Sequence, residues 1–364
     1  MKINAAILEE KSGSFKFKNI EIGEIRPDEV LVRVVASGIC HTDSHVRLHP
    51  EGSQLPLILG HEGSGVIEKL GIGVQGLEVG DHVIMSYPLC GHCDNCQGGH
   101  PAYCVHNMQL SFGGARLDGS NAYEKGVHGH FFGQSSFATY SIASESNVIK
   151  IPKDVPLELM GPLGCGFQTG AGAVLNALKV EAGKSIVVLG SGAVGIAAIM
   201  AAKIAGASSI IAVDVNDDRL NLALELGATH KINGSNEDTK KRIQEILPKA
   251  PDYIIELTGR PNMLTMATEV ISQLGTVALI AASAPGTQAP IDMMTLLNGR
   301  IIKGIVQGDS ISKLFLPKLI DFYKAGKFPF DRLVKFYDFK DIEQAFEDTK
   351  SGVTIKPILR IGKV

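Results

Sequence analysis

Apolar positions fall into two regimes along the 364-residue chain. In the first they come as short β-branched runs punctuated by glycine. Val30-Leu31-Val32-Arg33-Val34-Val35 is such a run, entered from the turn-forming pair Pro27-Asp28. Ser64-Gly65-Val66-Ile67-Glu68 and Val79-Gly80-Asp81-His82-Val83-Ile84-Met85 repeat the signal, among glycines at 60, 63, 65, 71, 73, 76 and 80. The pattern predicts a β-barrel-like or partly open sheet domain. Residues 105 to 135 are polar and Gly-rich without a period, a long loop of the functional or interface kind. Residues 152–159 read as a connector.

From 183 the regime changes. Ser185-Ile186-Val187-Val188-Leu189 is apolar throughout, and an Ala-rich helix over 193–204 follows it. Strands at 209–213, 253–257 and 276–281 then alternate with helices at 219–226, 237–247 and 262–273. Alternation of this kind predicts a doubly wound parallel sheet. It stops near 307, leaving helices at 312–324 and 341–351 and a last strand at 358–361. So few elements return to the first domain more readily than they form a third. The expected division is 1–166 with 307–364, and 167–306. The fold class is α/β.

Composition changes this picture little. With 45% hydrophobic and 20% charged residues, the chain is of ordinary globular type. A net charge of −3 gives no drive toward nucleic acid or an anionic membrane. No apolar run reaches the ~18 residues of a membrane span, and the N-terminus becomes acidic too early for a secretory signal. A cytoplasmic protein is expected. Its cysteines, at 40, 90, 93, 96, 104 and 165, then suit metal binding better than disulfides.

Gly190-Ser191-Gly192-Ala193-Val194-Gly195 follows an apolar strand and opens a helix, the context in which G-x-G-x-x-G signals a dinucleotide. Gly190 permits the tight turn, Gly192 the approach of pyrophosphate, and Gly195 the packing of helix on sheet. Asp214, at the end of the next strand, suits adenosine ribose hydroxyls and repels a 2′-phosphate. NAD is therefore expected over NADP. The rival reading is a structural glycine turn with an incidental aspartate.

Cys90, Cys93, Cys96 and Cys104 can close a tetrahedral zinc site with no open position, hence a structural one. An iron–sulfur cluster and disulfides are the alternatives; no proline follows Cys104, as it does in the bacterial cluster run. Cys40, His61 and Cys165 remain. Two thiolates and an imidazole suit zinc and leave one position for an alcohol or water. Buried inert thiols and a satisfied core histidine are the bland alternatives.

Cys40-His41-Thr42-Asp43, Gly60-His61-Glu62-Gly63-Ser64-Gly65-Val66, the four-cysteine lobe, Gly164-Cys165-Gly166-Phe167-Gln168-Thr169-Gly170 and the Gly190 loop resemble the zinc-dependent medium-chain alcohol dehydrogenases, in the same order over essentially the whole chain. Pro162 to Gly166, His130 to Tyr140 and Lys327 to Asp331 resemble more narrowly the aryl-alcohol branch, which has relatives acting on terpene alcohols such as geraniol. The resemblance implies a GroES-like β-rich catalytic domain and an inserted Rossmann domain. It implies one catalytic and one structural zinc per subunit, hydride transfer between a primary alcohol and NAD, and a homodimer or homotetramer. Cys40, His61 and Cys165 would bind the catalytic zinc, with Glu62 an occasional ligand during exchange. Asp43 would hold the other ring nitrogen of His61. Thr42 would bond the substrate oxygen, and His45 would end the proton relay. His41 and Lys356 would meet the pyrophosphate, Thr169 and Val194 would pack near the nicotinamide, and Arg219 would support the ribose. Tyr87, Phe131 and Phe132 are candidate pocket walls, with ordinary core packing as the rival.

Cys165 argues against the polyol dehydrogenases, which often carry a carboxylate there, and both cysteine sets argue against zinc-free quinone reductases. Three alternatives stay open: an S-(hydroxymethyl)glutathione dehydrogenase, a general medium-chain alcohol dehydrogenase, and a non-catalytic zinc- and NAD-binding protein of the same fold.

Overall fold

Six parallel strands organise the second half of the chain in the computed structural model, which describes residues 1–363. Across the sheet they run His230–Asn233, Ser209–Asp214, Ser185–Leu189, Tyr253–Glu256, Thr276–Leu279 and Ile301–Gly304. Numbered along the chain, that order is 3-2-1-4-5-6, the doubly wound arrangement that puts the switch point beside the first strand. Ser185–Leu189 is buried along its whole length, which is why it reads as an uninterrupted apolar run. The helix Ala193–Ala205 buries most of its residues and ends at Gly206, whose φ of 79° forms a left-handed cap.

The other unit is built on antiparallel pairing. Its main sheet runs Val334–Asp338, Lys356–Arg360, Glu29–Gly38, Glu62–Leu70, His82–Met85 and Val148–Lys150, with Tyr140–Ser144 pairing the long strand Glu29–Gly38 as well. A three-stranded sheet joins Lys16–Glu21, Lys2–Leu8 and Leu57–Ile58. One core cluster gathers side chains of this small sheet with Tyr87, Phe131, Phe132 and Phe137.

Contacts divide the chain into Met1–Gly166 with Ile311–Ile320 and Phe330–Val364, and Phe167–Ser310 with Asp321–Pro329. The return thus falls at 311 rather than 307, and the helix Ser312–Lys324 is shared between the units.

Three stretches differ from the sequence expectation. His41–Leu48 is a helix whose buried residues are Asp43 and Val46, too few for a hydrophobic period to show. The supposed connector leads into the helical turns Leu157–Met160 and Gly161–Gly164 and on to Gly166–Gly172. The long loop holds a helix, Asn107–Phe112, and is pinned down. Arg116 makes a bidentate, largely buried pair with Glu29 at 2.5 and 2.8 Å, and Tyr123 and His128 bridge to Ile22 and Leu57.

Candidate active site

The helix His41–Leu48 begins where the long strand ends, with Cys40 as its N-cap. This places Cys40 at the end of one sheet strand and His61 at the start of its partner, since Gly38 pairs with Glu62. Cys165 arrives from the turn after Gly161–Gly164. The ligand-capable atoms of Cys40, His61, Glu62 and Cys165 all lie within 4.8 Å of one another.

Asp43 orders this cluster. Its Oδ1 accepts from Gly60 N–H at 3.1 Å and meets His61 Nδ1 at 3.0 Å, while Oδ2 accepts from Cys40 N–H at 2.9 Å. With Nδ1 held, His61 Nε2 is left buried and without a hydrogen-bond partner among the described residues. A buried imidazole nitrogen is rarely orphaned. Here it faces two sulfurs, so the donor set fits zinc, with Asp43 as the carboxylate partner a ligating histidine commonly has.

The Cys165 thiol, hydrogen-bonded to Cys40, holds the latter well below its ordinary value, and the same bond pushes Cys165 well above. Burial works against charge on His61, yet Asp43 and Cys40 together outweigh it and raise the imidazole. Burial also raises Glu62, against the pull of Lys356.

Lys356 corrects the expectation that it meets pyrophosphate. Its side chain is buried, and Nζ donates to Glu62 at 2.8 and 2.9 Å and to Ile39 O at 3.1 Å. An ammonium with three near acceptors in a dry interior is committed to them. Glu62 also receives Gly166 N–H at 3.3 Å, so its carboxylate is held on two sides. Thr42 Oγ1 lies 3.8 Å from Cys40 Sγ. His41 and His45 are exposed on the same helix.

Aromatic rings close around His61. Phe132 stacks on it at 4.5 Å and 27°, and Phe131 meets it edge-on at 5.6 Å. Phe112, which the aperiodic loop concealed, packs edge-on against Phe132 at 5.1 Å and Phe131 at 6.0 Å. Tyr87 is buried in the same core cluster, which raises its phenol.

The second cysteine set surrounds the short helix Asp94–Gln97. Its four sulfurs also lie within 4.8 Å of one another, and none forms a disulfide. Zinc–sulfur bonds of ~2.3 Å put tetrahedral sulfurs ~3.8 Å apart, so a small contraction suffices. Backbone N–H groups of Cys90 and Cys93 point at Cys104 Sγ and Cys90 Sγ at 3.3 and 3.4 Å, and the Val105 backbone holds Cys93 down at about 6. Burial works the other way on Cys96, pushed up to about 12, and on Cys104.

In the parallel-sheet unit, Gly190 has a φ of 106°. A Cβ at Gly195 would stand 1.9 Å from Gly190 O, whereas one at Gly192 would meet nothing within 4 Å. Nothing in the chain demands glycine at 192. The space suits a ligand at the helix N-terminus, as pyrophosphate would be. Asp214 receives Ser191 N–H at 2.6 Å, Val215 N–H at 2.8 Å and Asn216 N–H at 3.0 Å, tying the glycine loop to the next strand. Arg219 Nε is buried without a partner among the described residues. Thr169 lies 3.4 Å from Gln307 Oε1, and Val194 is half-buried in the first turn of the helix.

A β-rich unit with two cysteine-based sets fit for metal, in one chain with a doubly wound unit that carries a dinucleotide-type loop, defines the medium-chain class of zinc oxidoreductases. Residues 26–153 match the alcohol dehydrogenase GroES-like domain, and residues 193–324 match the zinc-binding dehydrogenase family. The chain is 40% identical to geraniol dehydrogenase of Castellaniella defragrans, over 98% of this chain and 96% of that one. The structure of benzyl alcohol dehydrogenase from Acinetobacter calcoaceticus is 48% identical with a TM-score of 0.97, covering 99% of both chains. An alcohol dehydrogenase zinc-binding domain protein from Burkholderia ambifaria is 50% identical at the same TM-score and coverage. The chain belongs to the zinc-dependent alcohol dehydrogenase family, and its cofactors are zinc and a nicotinamide nucleotide.

Proposed function

We propose that this dehydrogenase interconverts aromatic or allylic primary alcohols and their aldehydes, with NAD as the coenzyme. The observation that carries the substrate class is the wall of Phe112, Phe131 and Phe132 against His61. Phe131 is wholly buried and Phe132 nearly so, while Phe112 is partly exposed, and an apolar wall of rings set edge to face packs an aryl or prenyl group better than a methyl group. The relatives named for geraniol and benzyl alcohol support the same choice.

In this reading Cys40, His61 and Cys165 hold the catalytic zinc, and Cys90, Cys93, Cys96 and Cys104 a structural one. When bound, zinc and coenzyme supply Lewis acidity and a hydride acceptor. Thr42 bonds the substrate hydroxyl and accepts its proton as it gives up its own. His45, three positions on and so on the adjoining helix face, delivers that proton to solvent. Glu62, held by Lys356, stays off the metal except during exchange. Asp214 and Arg219 receive the adenosine ribose, and the carboxylate disfavours a 2′-phosphate. Gly190, Gly192 and Gly195 seat the pyrophosphate, with His41 nearby, and Thr169 and Val194 flank the nicotinamide. Thiolate ligand sets suit the reducing cytoplasm, and the apolar sheet edge at Ile301–Gly304 suits a homodimer or homotetramer.

Initial rates with benzyl alcohol, geraniol, ethanol and a glutathione–formaldehyde adduct, each with NAD and NADP, test the proposal. The aryl and allylic alcohols should exceed ethanol in kcat/KM by on the order of ten- to a hundredfold, with NAD preferred. Ethanol equal to benzyl alcohol, or the glutathione adduct fastest, would overturn it.

A further inference from the structure

We infer that Gln134 is a positioning residue for the catalytic metal, standing in for a strand that is missing beside His61. The inference rests on the reading of Cys40, His61 and Cys165 as ligands. The strand Glu62–Leu70 has two neighbours. On one side, Glu29–Gly38 pairs with it as far as Glu62. On the other, His82–Met85 pairs with it only from Ser64 onward. The backbone of His61 and Gly63 therefore extends past the last rung on that side, in a fully buried place. Buried peptide groups left unpaired are costly, so something must meet them.

The Gln134 side chain does so. Its Oε1 accepts from Gly63 N–H at 3.0 Å, and its Nε2 donates to His61 O at 3.0 Å. Nε2 also donates to Ser86 O at 3.3 Å, on the residue that follows the neighbouring strand. The amide thus acts as one extra peptide unit inserted between two diverging strands. Its orientation is fixed by its partners, because a flipped amide would set oxygen against two carbonyls and NH₂ against an N–H.

The turn that presents Gln134 is held in an unfavourable shape. His130, Phe132 and Ser135 have φ of 57°, 50° and 54°, and Gly133 has 63°. Non-glycine residues persist in that region only where their surroundings over-determine them. Here Ser135 Oγ donates to Ile58 O at 2.7 Å and accepts from Phe131 N–H at 2.9 Å. The Gln134 carbonyl receives Ser141 Oγ and, at 3.4 Å, the Tyr123 hydroxyl. One turn therefore grips the ligand twice: Gln134 holds the His61 backbone, and Phe132 lies on its ring. Asp43 fixes the remaining ring nitrogen, and Nε2 is left aimed at the sulfurs.

The test is zinc release from purified holoenzyme to a chromogenic chelator, resolved into two phases, one of which disappears in Cys165→Ser. In Gln134→Met, which keeps the volume and loses all three hydrogen bonds, that phase should quicken by on the order of ten- to a hundredfold. The phase from the four-cysteine lobe should keep its rate. Gln134→Asn, which keeps the amide but withdraws it by one methylene, should give the same selectivity and serves if the methionine variant does not fold. Unchanged phases, or equal acceleration of both, would overturn the inference and make Gln134 a general structural residue. A wild-type protein with one zinc phase, unaffected by Cys165→Ser, would instead overturn the metal reading beneath it.

Discussion

His130 is buried, and its imidazole is pushed down to about 3, first by burial and then by Arg116 and Arg26. Its Nε2 accepts from Ala122 N–H at 3.3 Å, a bond available only to the neutral ring, and Tyr123 packs edge-on against it. In the unfolded chain the same residue titrates near ~6.5. Between those values the unfolded state binds one more proton than the folded state. Stability contributed by this site is therefore intact above ~6.5 and falls as pH drops toward about 3, by up to ~1.4 kcal/mol per pH unit. His130→Asn, which tolerates the left-handed backbone there, should flatten the acid side of the stability curve in denaturant titrations at pH 7 and 5. A variant whose loss between those pH values equals that of wild type would refute the assignment. At this scale the sequence was uneven. Cys40, His61 and Cys165 were legible because their residue types are rare and their chemistry specific. Lys356 was not: the resemblance put it at the pyrophosphate, and only the fold shows it buried on Glu62. Phe112 and Gln134 sit in stretches without a period, so no local signal marked them.

Elements whose apolar pattern follows directly from burial were the legible ones, on both faces in one case and along one helical face in the other. Ser185–Leu189 and Ser312–Lys324 fall where the pattern put them. His41–Leu48 escaped because its polar residues serve the site rather than a core. The glycine loop allows a sharper separation of folding from binding. A Cβ at Gly195 would collide with Gly190 O, while one at Gly192 would meet open space. Gly195→Ala should destabilise the protein by about 1–3 kcal/mol, as overpacking does. Gly192→Ala should leave thermal unfolding of the coenzyme-free protein unchanged, yet weaken NADH binding by tenfold or more, on the order of the ~1.4 kcal/mol that one factor of ten represents. Differential scanning calorimetry without coenzyme and fluorescence titration with NADH separate the two effects. Loss of stability in Gly192→Ala, or unaltered NADH affinity, would contradict the seating of pyrophosphate at this turn.

At the scale of the molecule, the parallel sheet ends in an exposed edge. Ile301–Gly304 pairs with Thr276–Leu279 on one side and has no strand neighbour on the other among the described residues. Just before it, Met293 and Leu297 are 81% and 75% exposed, and Ile301 itself is 52% exposed. A bare strand edge flanked by large apolar side chains is an aggregation hazard unless something covers it. The sequence hid this strand, because a half-exposed edge lacks the continuous apolar run of its inner neighbours. Pairing with the same edge of a second copy would satisfy both the peptide groups and the apolar surface, and identical edges meet naturally about a two-fold axis. Wild-type protein should therefore sediment at a multiple of the single-chain mass. Leu297→Asp combined with Ile301→Lys places charges on the proposed contact and should yield a single chain that still binds NADH, since neither residue belongs to the glycine loop. A monomeric wild type, or a variant of undiminished mass, would show that this edge is not where subunits join.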